Sequence, residues 1–465
     1  MLTDDDIDRC SQRSADALGD GLREHVPRLR ALLGSLVRVG QRLDDALRTP
    51  SRIWHARRVN EPAAVIARLF VLHDRVTTQD VEGALGAVGR RLLDADLLVE
   101  DGEGVTSRIQ LALSPDAMCF GDWLGPGAIL ALGGATTELV RVAGGGPAMG
   151  RALDLGCGAG AVAIGMARVA EKVIATDIDA RAAAFTRLNV RLNRVGNVEV
   201  RVGDLFETVR GERFDRIVSQ PPFHALRPSA VPSAFVHGGA RGDELAAKMI
   251  AQAPEHLDDG GIMILLADWP ILEAGDIATR LRGEGSGILV LRAPNKDLDE
   301  YCTLHAAAEH APSSDAFATA VIAQRDHLEA LGVRGVALAW VVLRVAGRGW
   351  ASEAPVKHPH DAPMTWEHLS RLFAAHEAAH AADGVLMATR VAKPEGARWV
   401  EQALGDGAAA VVVHPPPGRP EWPSVLDADV AAVVTSLARA GRATNAAEIA
   451  AARRALLTGA LDAVP

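Results

Sequence analysis

The sequence predicts an α/β protein built on a doubly wound, mostly parallel sheet of seven strands, and three observations carry that expectation. From Arg151 onward, short apolar runs alternate with helical stretches. Three glycines, Gly156, Gly158 and Gly160, stand between the first run and the helix after it. Acids close the next two runs, at Asp177 and Asp204. In an open α/β sheet a ligand lies outside the carboxyl ends of the strands, so these are the positions at which a site is expected.

The chain has 465 residues, enough for two or three domains. Hydrophobic residues make up 48% and charged ones 23%, an ordinary balance for a water-soluble chain. Cys10, Cys119, Cys157 and Cys302 are scattered without a CxxC pair or zinc-ligand spacing, which predicts reduced thiols in a cytoplasmic protein. The acidic start, Met1 to Asp8, does not read as a secretory signal, and no apolar run reaches the length of a membrane span. A net charge of −10 argues against a long, non-specific footprint on nucleic acid.

Three domains are expected: 1–125, 126–350 and 351–465. In the first, Leu29, Leu32, Leu33, Leu36 and Val37 recur at helical spacing, making two helices that Thr49-Pro50 closes. The basic stretch Arg48, Arg52, His55, Arg57, Arg58 reads as a solvated face bridged to acids of the same domain. Pro62 opens a helix over 63–73, and Thr77 to Asp80 caps another over 81–94. Residues 97–99 and 107–113, joined by a turn at 100–104, make a two-stranded wing. That order is winged-helix-like, and the acidic tip at Glu100, Asp101 and Glu103 suits contact with protein better than with phosphate.

In the second domain, strands are expected over 151–155, 173–176, 198–202, 216–219, 262–266 and 287–291. The last, 336–345, reads as an edge-capping strand, with a helical insertion at 295–332 before it. After a linker at 357–363 the third domain reads as a small α+β unit. Its helix at 366–382 precedes strands at 385–391 and 409–414 and two terminal helices, 428–440 and 446–462. It too has an order compatible with a winged helix.

The spacing at the glycine turn is Gly-x-Gly-x-Gly behind an acid, Asp154, whereas dinucleotide-binding turns use Gly-x-Gly-x-x-Gly around a pyrophosphate. Asp154 repels a pyrophosphate and accepts a hydrogen bond from a cationic amino-acid moiety. Asp177 is suited to both hydroxyls of a ribose, the alternative being a helix cap. Asp204 is suited to an adenine amino group, with Leu205 covering the ring. This set resembles the donor site of class I S-adenosylmethionine-dependent methyltransferases, whose Rossmann-like fold and cofactor the resemblance implies.

Strand four is followed by Gln220-Pro221-Pro222-Phe223. Two prolines stiffen this loop and aim the groups before them, and the aromatic offers a face to a planar group. The tetrad resembles the Asn-Pro-Pro-Tyr/Phe motif of amino-methyltransferases. These include the release-factor glutamine N5-methyltransferases, small-domain ribosomal RNA guanine methyltransferases and DNA adenine methyltransferases. The resemblance implies that Gln220 and the carbonyl after it hold a planar NH₂, with Pro221, Pro222 and Phe223 completing the catalytic loop and Gln220 also bordering the cofactor. Thr137-Glu138-Leu139 resembles the Glu-Thr-Glu-Leu stretch of the release-factor enzymes, which adds Thr137 to the cofactor residues. Residues 236–243 resemble their Gly-Gly segment.

Gln220 departs from the family's Asn, Asp or Ser and puts the acceptor class in question. The expected function is N-methylation of a protein, peptide or small-molecule nitrogen. A nucleic-acid base, and an oxygen, sulfur or carbon acceptor, rank behind it; a non-enzymatic winged-helix protein that binds DNA ranks last. His376-Glu377-x-x-His380 matches a zinc motif. It reads as a chance match on an exposed, alanine-rich helix, so no metal is expected.

Overall fold

The computed structural model describes residues 2–37, 45–114, 117–123, 125, 127–227, 235–273, 275–310, 314–345, 349–403 and 409–464. Pro126, the expected start of the second domain, lies outside them. The chain divides into two compact units, one of residues 1–140 and 148–210, the other of residues 141–147 and 211–465. No helix among the described residues is long and apolar enough to cross a membrane.

The first unit opens with α1 (Asp4–Arg23), α2 (Val26–Val37) and α3 (Asp45–Ala56). Thr49-Pro50 therefore does not close the segment: Pro50 lies inside α3. A proline there forfeits one early backbone bond, and the helix continues to bury Ala56 beside Leu36 and Leu72. Next come α4 (Pro62–Phe70), α5 (Thr78–Leu85) and α6 (Ala87–Asp94). The capping box at Thr77 and Asp80 forms as its spacing predicts. The single helix expected over 81–94 breaks in two at Gly86, whose φ of +54° leaves the helical region. Of the basic stretch, Arg57 joins Arg68 on the buried Asp74, and Arg58 lies over the Trp54 ring.

The expected wing is two hairpins. β1 (Leu98–Asp101) pairs with β2 (Gly104–Ser107), and β3 (Ile109–Leu113) pairs with β4 (Met118–Asp122). The break at Arg108 follows from Ser107, whose buried hydroxyl accepts from the Ile109 N–H and donates to the Ile109 carbonyl. Beyond α7 (Gly134–Ala143), the unit continues as β5 (Met149–Leu155), α8 (Ala161–Met166), β6 (Ala170–Asp177), α9 (Ala180–Leu192) and β7 (Val198–Val202). The three strands are parallel, in the order β5-β6-β7. α1 lies directly on α9: Arg187 grips Asp8 through two bonds, and a Cβ on Gly19 would stand 2.4 Å from the Leu192 carbonyl oxygen.

The second unit contributes β8 (Phe214–Ser219), β9 (His224–Ala225), β10 (His237–Gly239), α10 (Glu244–Gln252), β11 (Leu257–Leu272), α11 (Ile277–Leu281) and β12 (Ser286–Arg292). α12 (Leu298–Glu309), α13 (Asp315–Ala330), β13 (Val333–Val345) and β14 (Trp350–Pro355) complete its sheet and the helical insertion. β11 runs parallel to β8 and antiparallel to β13; β12 lies antiparallel to β13 and parallel to β14. β13 is thus an interior strand rather than an edge. Its residues 339–343 are all but fully buried, as a strand paired on both sides requires. The edge is β14, a strand outside the expected set, whose sequence lacks β-branched residues. The β-α-β alternation is the Rossmann-like α/β fold that the sequence predicts.

Beyond β14 come α14 (Trp366–His380), α15 (Asp383–Ala388), β15 (Arg390–Ala392), β16 (Arg398–Ala403), β17 (Ala409–His414), β18 (Ser424–Asp427), α16 (Ala428–Ala440), α17 (Ala446–Leu457) and β19 (Asp462–Val464). Most of the strand expected at 385–391 is helix α15, whose Leu386 joins the apolar cluster formed with α16 and α17. α17 stops at Leu457, short of 462, where Gly459 turns the chain with φ +73°. His376 is buried, 1% exposed, not on an exposed face. Its Nδ1 lies 2.8 Å from the Ser352 hydroxyl, and the His380 ring stacks on Trp350. Both histidines therefore pack α14 onto β14. Among the described residues no group of three or more His, Cys, Asp and Glu is placed to hold a metal ion.

Candidate active site

In the first unit, β5 carries Leu153, Asp154 and Leu155 into the core and the chain leaves it through Gly156-Cys157-Gly158-Ala159-Gly160. The three glycines adopt φ of +78°, +53° and +84°, where L side chains are strained. Packing adds a second reason at only one of them. A Cβ at Gly160 would stand 2.8 Å from Thr186, whereas one at Gly156 or Gly158 would meet nothing within 4 Å. The first half of the turn is therefore bare backbone beside open space.

Two buried carboxylates hold the turn. Asp154 Oδ2 accepts from the Ala163 N–H at 2.9 Å, tying the strand to the first turn of α8. Asp177 Oδ2 accepts from the Gly158 N–H at 2.9 Å, and its Oδ1 accepts from Asp179 N–H at 3.0 Å. The cap of α9 is Asp179, whose carboxylate accepts from Arg181 N–H, so Asp177 is not that cap. Burial pushes Asp154 up to about 7, against its one backbone donor and helped by the nearby Asp177 charge. Asp177 is also raised, by burial first, with the backbone N–H groups of Asp179 and Gly158 opposing.

The acids at the ends of β6 and β7 are joined through the backbone, since Gly203 N–H donates to the Asp177 carbonyl at 2.9 Å. Asp204 and Leu205 follow in a tight turn and are half-buried. Leu205 has φ of +45°, a left-handed conformation costly for a side chain without local hydrogen bonding. Thr137 lies on α7. Its hydroxyl donates to the carbonyl of Gly133, just before that helix, at 2.9 Å.

The brace behind the turn escaped the sequence reading. Thr186 Oγ1 donates to the Gly158 carbonyl at 2.9 Å and lies 3.3 Å from the Cys157 thiol. Asn189 Nδ2 donates to the carbonyls of Ala159 and Phe120, and its Oδ1 accepts from Phe120 N–H. Asn193 pairs in the same way with Met118. The signal was present: polar residues at 186, 189 and 193 fall on one face of a helix whose neighbours are apolar.

In the second unit, Gln220 follows the buried end of β8. Pro221 is buried, while Gln220, Pro222 and Phe223 are half-buried. Backbone closes tightly against the loop. A Cβ on Gly238 would stand 2.5 Å from the Pro222 carbonyl oxygen and 2.2 Å from that of Gly242. One on Gly242, where φ is +99°, would stand 2.3 Å from the Phe223 carbonyl oxygen. Only glycine permits both approaches. β9 and β10 then pair in parallel, fixing the chain on either side of the intervening residues.

Comparison with known proteins gives the following. Residues 136–271 match the family model described as Methyltransferase small domain. The chain is 35% identical over 160 residues to the release factor glutamine methyltransferase of Xylella fastidiosa (strain Temecula1), covering 32% of this chain and 56% of that protein. It is 37% identical over 131 residues to the ribosomal RNA small subunit methyltransferase C of Chromohalobacter salexigens, covering 28% of this chain and 35% of that one. The chain therefore spans about half the length, or less, of these curated relatives. A solved 16S rRNA methyltransferase of T. thermophilus, in complex with AdoMet and guanosine, is 20% identical with a TM-score of 0.28 over 41% of this chain and 55% of that one.

Proposed function

We propose that this protein transfers a methyl group from S-adenosylmethionine to an acceptor nitrogen, releasing S-adenosylhomocysteine. The observation that carries this reading is an open glycine turn held by two buried carboxylates, with no cation hydrogen-bonded to the turn among the described residues. A pyrophosphate would meet like charge there. The sulfonium and ammonium of the methyl donor would meet opposite charge, so the residues present fit that group. The match of residues 136–271 to the small methyltransferase domain supports the same reading, because that stretch contains both the turn and the Gln220 loop.

When bound, the sulfonium supplies a methyl already attached to a good leaving group. What this chain's residues contribute is binding and orientation. Asp154 and Asp177 hold the turn and supply negative charge; Asp204 and Leu205 receive the adenine. Gln220, Pro221, Pro222 and Phe223 would hold a planar NH₂ facing the methyl; the N–C bond would form as the C–S bond breaks, with the nitrogen's proton released to solvent. Gln reaches roughly 1.5 Å further than Asn, and a misplacement of that size costs on the order of 10²-fold in rate. Either the acceptor sits further out, or it differs from the family's usual amide or base, or the backbone carbonyl does the holding.

Within this reading a protein, peptide or small-molecule nitrogen ranks above a nucleic-acid base. The net charge of −10 supports that order. So does the hairpin tip, where Arg75 is paired with Asp101 and Glu103 and presents no free cation to phosphate. The experiment is transfer of labelled methyl to cell extract separated into protein, RNA and small-molecule fractions. Label confined to RNA would overturn the ranking; methyl on oxygen, sulfur or carbon would overturn nitrogen as acceptor.

A further inference from the structure

Immediately after Phe223, the second unit gathers a cluster of polar rings that nothing above uses. The His224 and His305 rings meet edge to face at 3.7 Å between centroids, and Tyr301 meets His305 at 4.1 Å. With Phe223, 5.2 Å from His224, they form a continuous run of four rings leading away from the acceptor loop. A small pocket opens on this run, walled by His224 on β9, His237 on β10, Arg227, Tyr301 and His305 on α12, and Gln324 on α13. Gln324 is fastened by its amide to the Ala225 carbonyl at 3.1 Å, which joins the helical insertion to the strand that carries His224.

We propose that this pocket is an oxyanion subsite, receiving one carboxylate or phosphate group. In the methyl transfer proposed above it would hold an acidic group of the acceptor, and that assignment alone rests on that reading. The walls supply donors, the imidazoles of His224, His237 and His305 and the guanidinium of Arg227, while the Tyr301 hydroxyl is bonded to the Ala225 backbone. Lys296 is the standing cation that faces both rings, and a second imidazole stands beside each, His237 by His224 and His224 by His305. The nearby carboxylate, Asp268 on β11, is already engaged, 3.6 Å from Lys296, and acts on Tyr301. Burial, reinforced by these neighbours, pushes His224 down to about 4 and His305 to about 2, so both rings are neutral near pH 7. An incoming anion stabilises the protonated form of the rings and draws protons onto them.

The test is titration of the full chain with sulfate, acetate and neutral acetamide, following the side-chain resonances of His224 and His305. Sulfate stands in for a phosphate and keeps its charge across the range used. The proposal expects one or both anions to shift these resonances saturably while acetamide does not. Binding should tighten on acidification, by up to about tenfold per pH unit for one proton taken up. A response to sulfate alone assigns a phosphate and one to acetate alone a carboxylate. No response to either, an equal response to acetamide, or binding that does not tighten on acidification overturns the proposal. His305→Phe keeps a ring in place and should weaken anion binding about tenfold or more. His305→Asn keeps an N–H donor and should bind with a flatter pH dependence; wild-type binding by both variants also overturns it. S-adenosylhomocysteine binding, measured on the same samples, separates the two readings: its absence sinks the methyl-transfer reading and leaves the anion result standing.

Discussion

The glycine turn of the first unit and the Gln220 loop of the second are both short connections leaving buried strands, yet they are held in opposite ways. The turn is braced by side chains: Asp154, Asp177, Thr186 and Asn189 each bond its backbone or the helix that follows it. The loop is braced by close backbone contact, with Gly238 and Gly242 seated against the carbonyls of Pro222 and Phe223. Side-chain bonds fix a backbone while leaving its open face bare, which suits a ligand gripped by N–H groups. Backbone contact instead fixes the loop's course while leaving Gln220, Pro222 and Phe223 half-exposed.

The largest expected effect breaks the loop. Gly242→Ala places a methyl 2.3 Å from the Phe223 carbonyl oxygen, so the loop must shift. Methyl transfer should fall by about 100-fold or more with S-adenosylhomocysteine affinity retained. Rate and binding assays on one preparation would show it, and an active variant would mean that the loop's course does not matter.

A smaller effect separates the regions by pH. Asp154, raised from 3.8 to about 7, favours the apo fold at low pH and loses that contribution as pH rises through about 7. Affinity for the cationic donor should rise over the same interval, by up to about tenfold per unit for one proton released. His224 and His305 have the opposite sign. Depressed below 6.5, they contribute stability above that value and lose it as pH falls. Thermal melts across pH should therefore show acid loss that His305→Phe reduces, and donor-binding isotherms should tighten with alkali.

The smallest effect is Thr186→Val, which removes the hydroxyl bonded to the Gly158 carbonyl without emptying the space. It should cost about 1 kcal/mol in stability, read from denaturant midpoints, with a modest loss in donor affinity.

How much of this was legible follows from what each signal consists of. The parallel strands, the three glycines and the strand-end acids are local patterns, and β5 to β7 appear where alternation places them. The break at Gly86 was missed because a lone glycine in a helical pattern is usually tolerated. β14 was missed because its residues, Trp350 to Pro355, lack β-branched side chains and owe their conformation to pairing with β12. The meeting of His224 with Tyr301 and His305 joins residues some eighty positions apart, and no window on the chain contains both.

The most direct measurement of the division between donor and acceptor regions is calorimetric binding of S-adenosylhomocysteine to Asp177→Ala and Gln220→Ala beside the wild type. Asp177→Ala frees the Gly158 N–H from its acceptor and should weaken binding about tenfold or more. Gln220→Ala should bind within about twofold of wild type while losing turnover, because its loss is confined to the acceptor. Equal weakening in both variants, or undiminished binding by Asp177→Ala, would contradict that division.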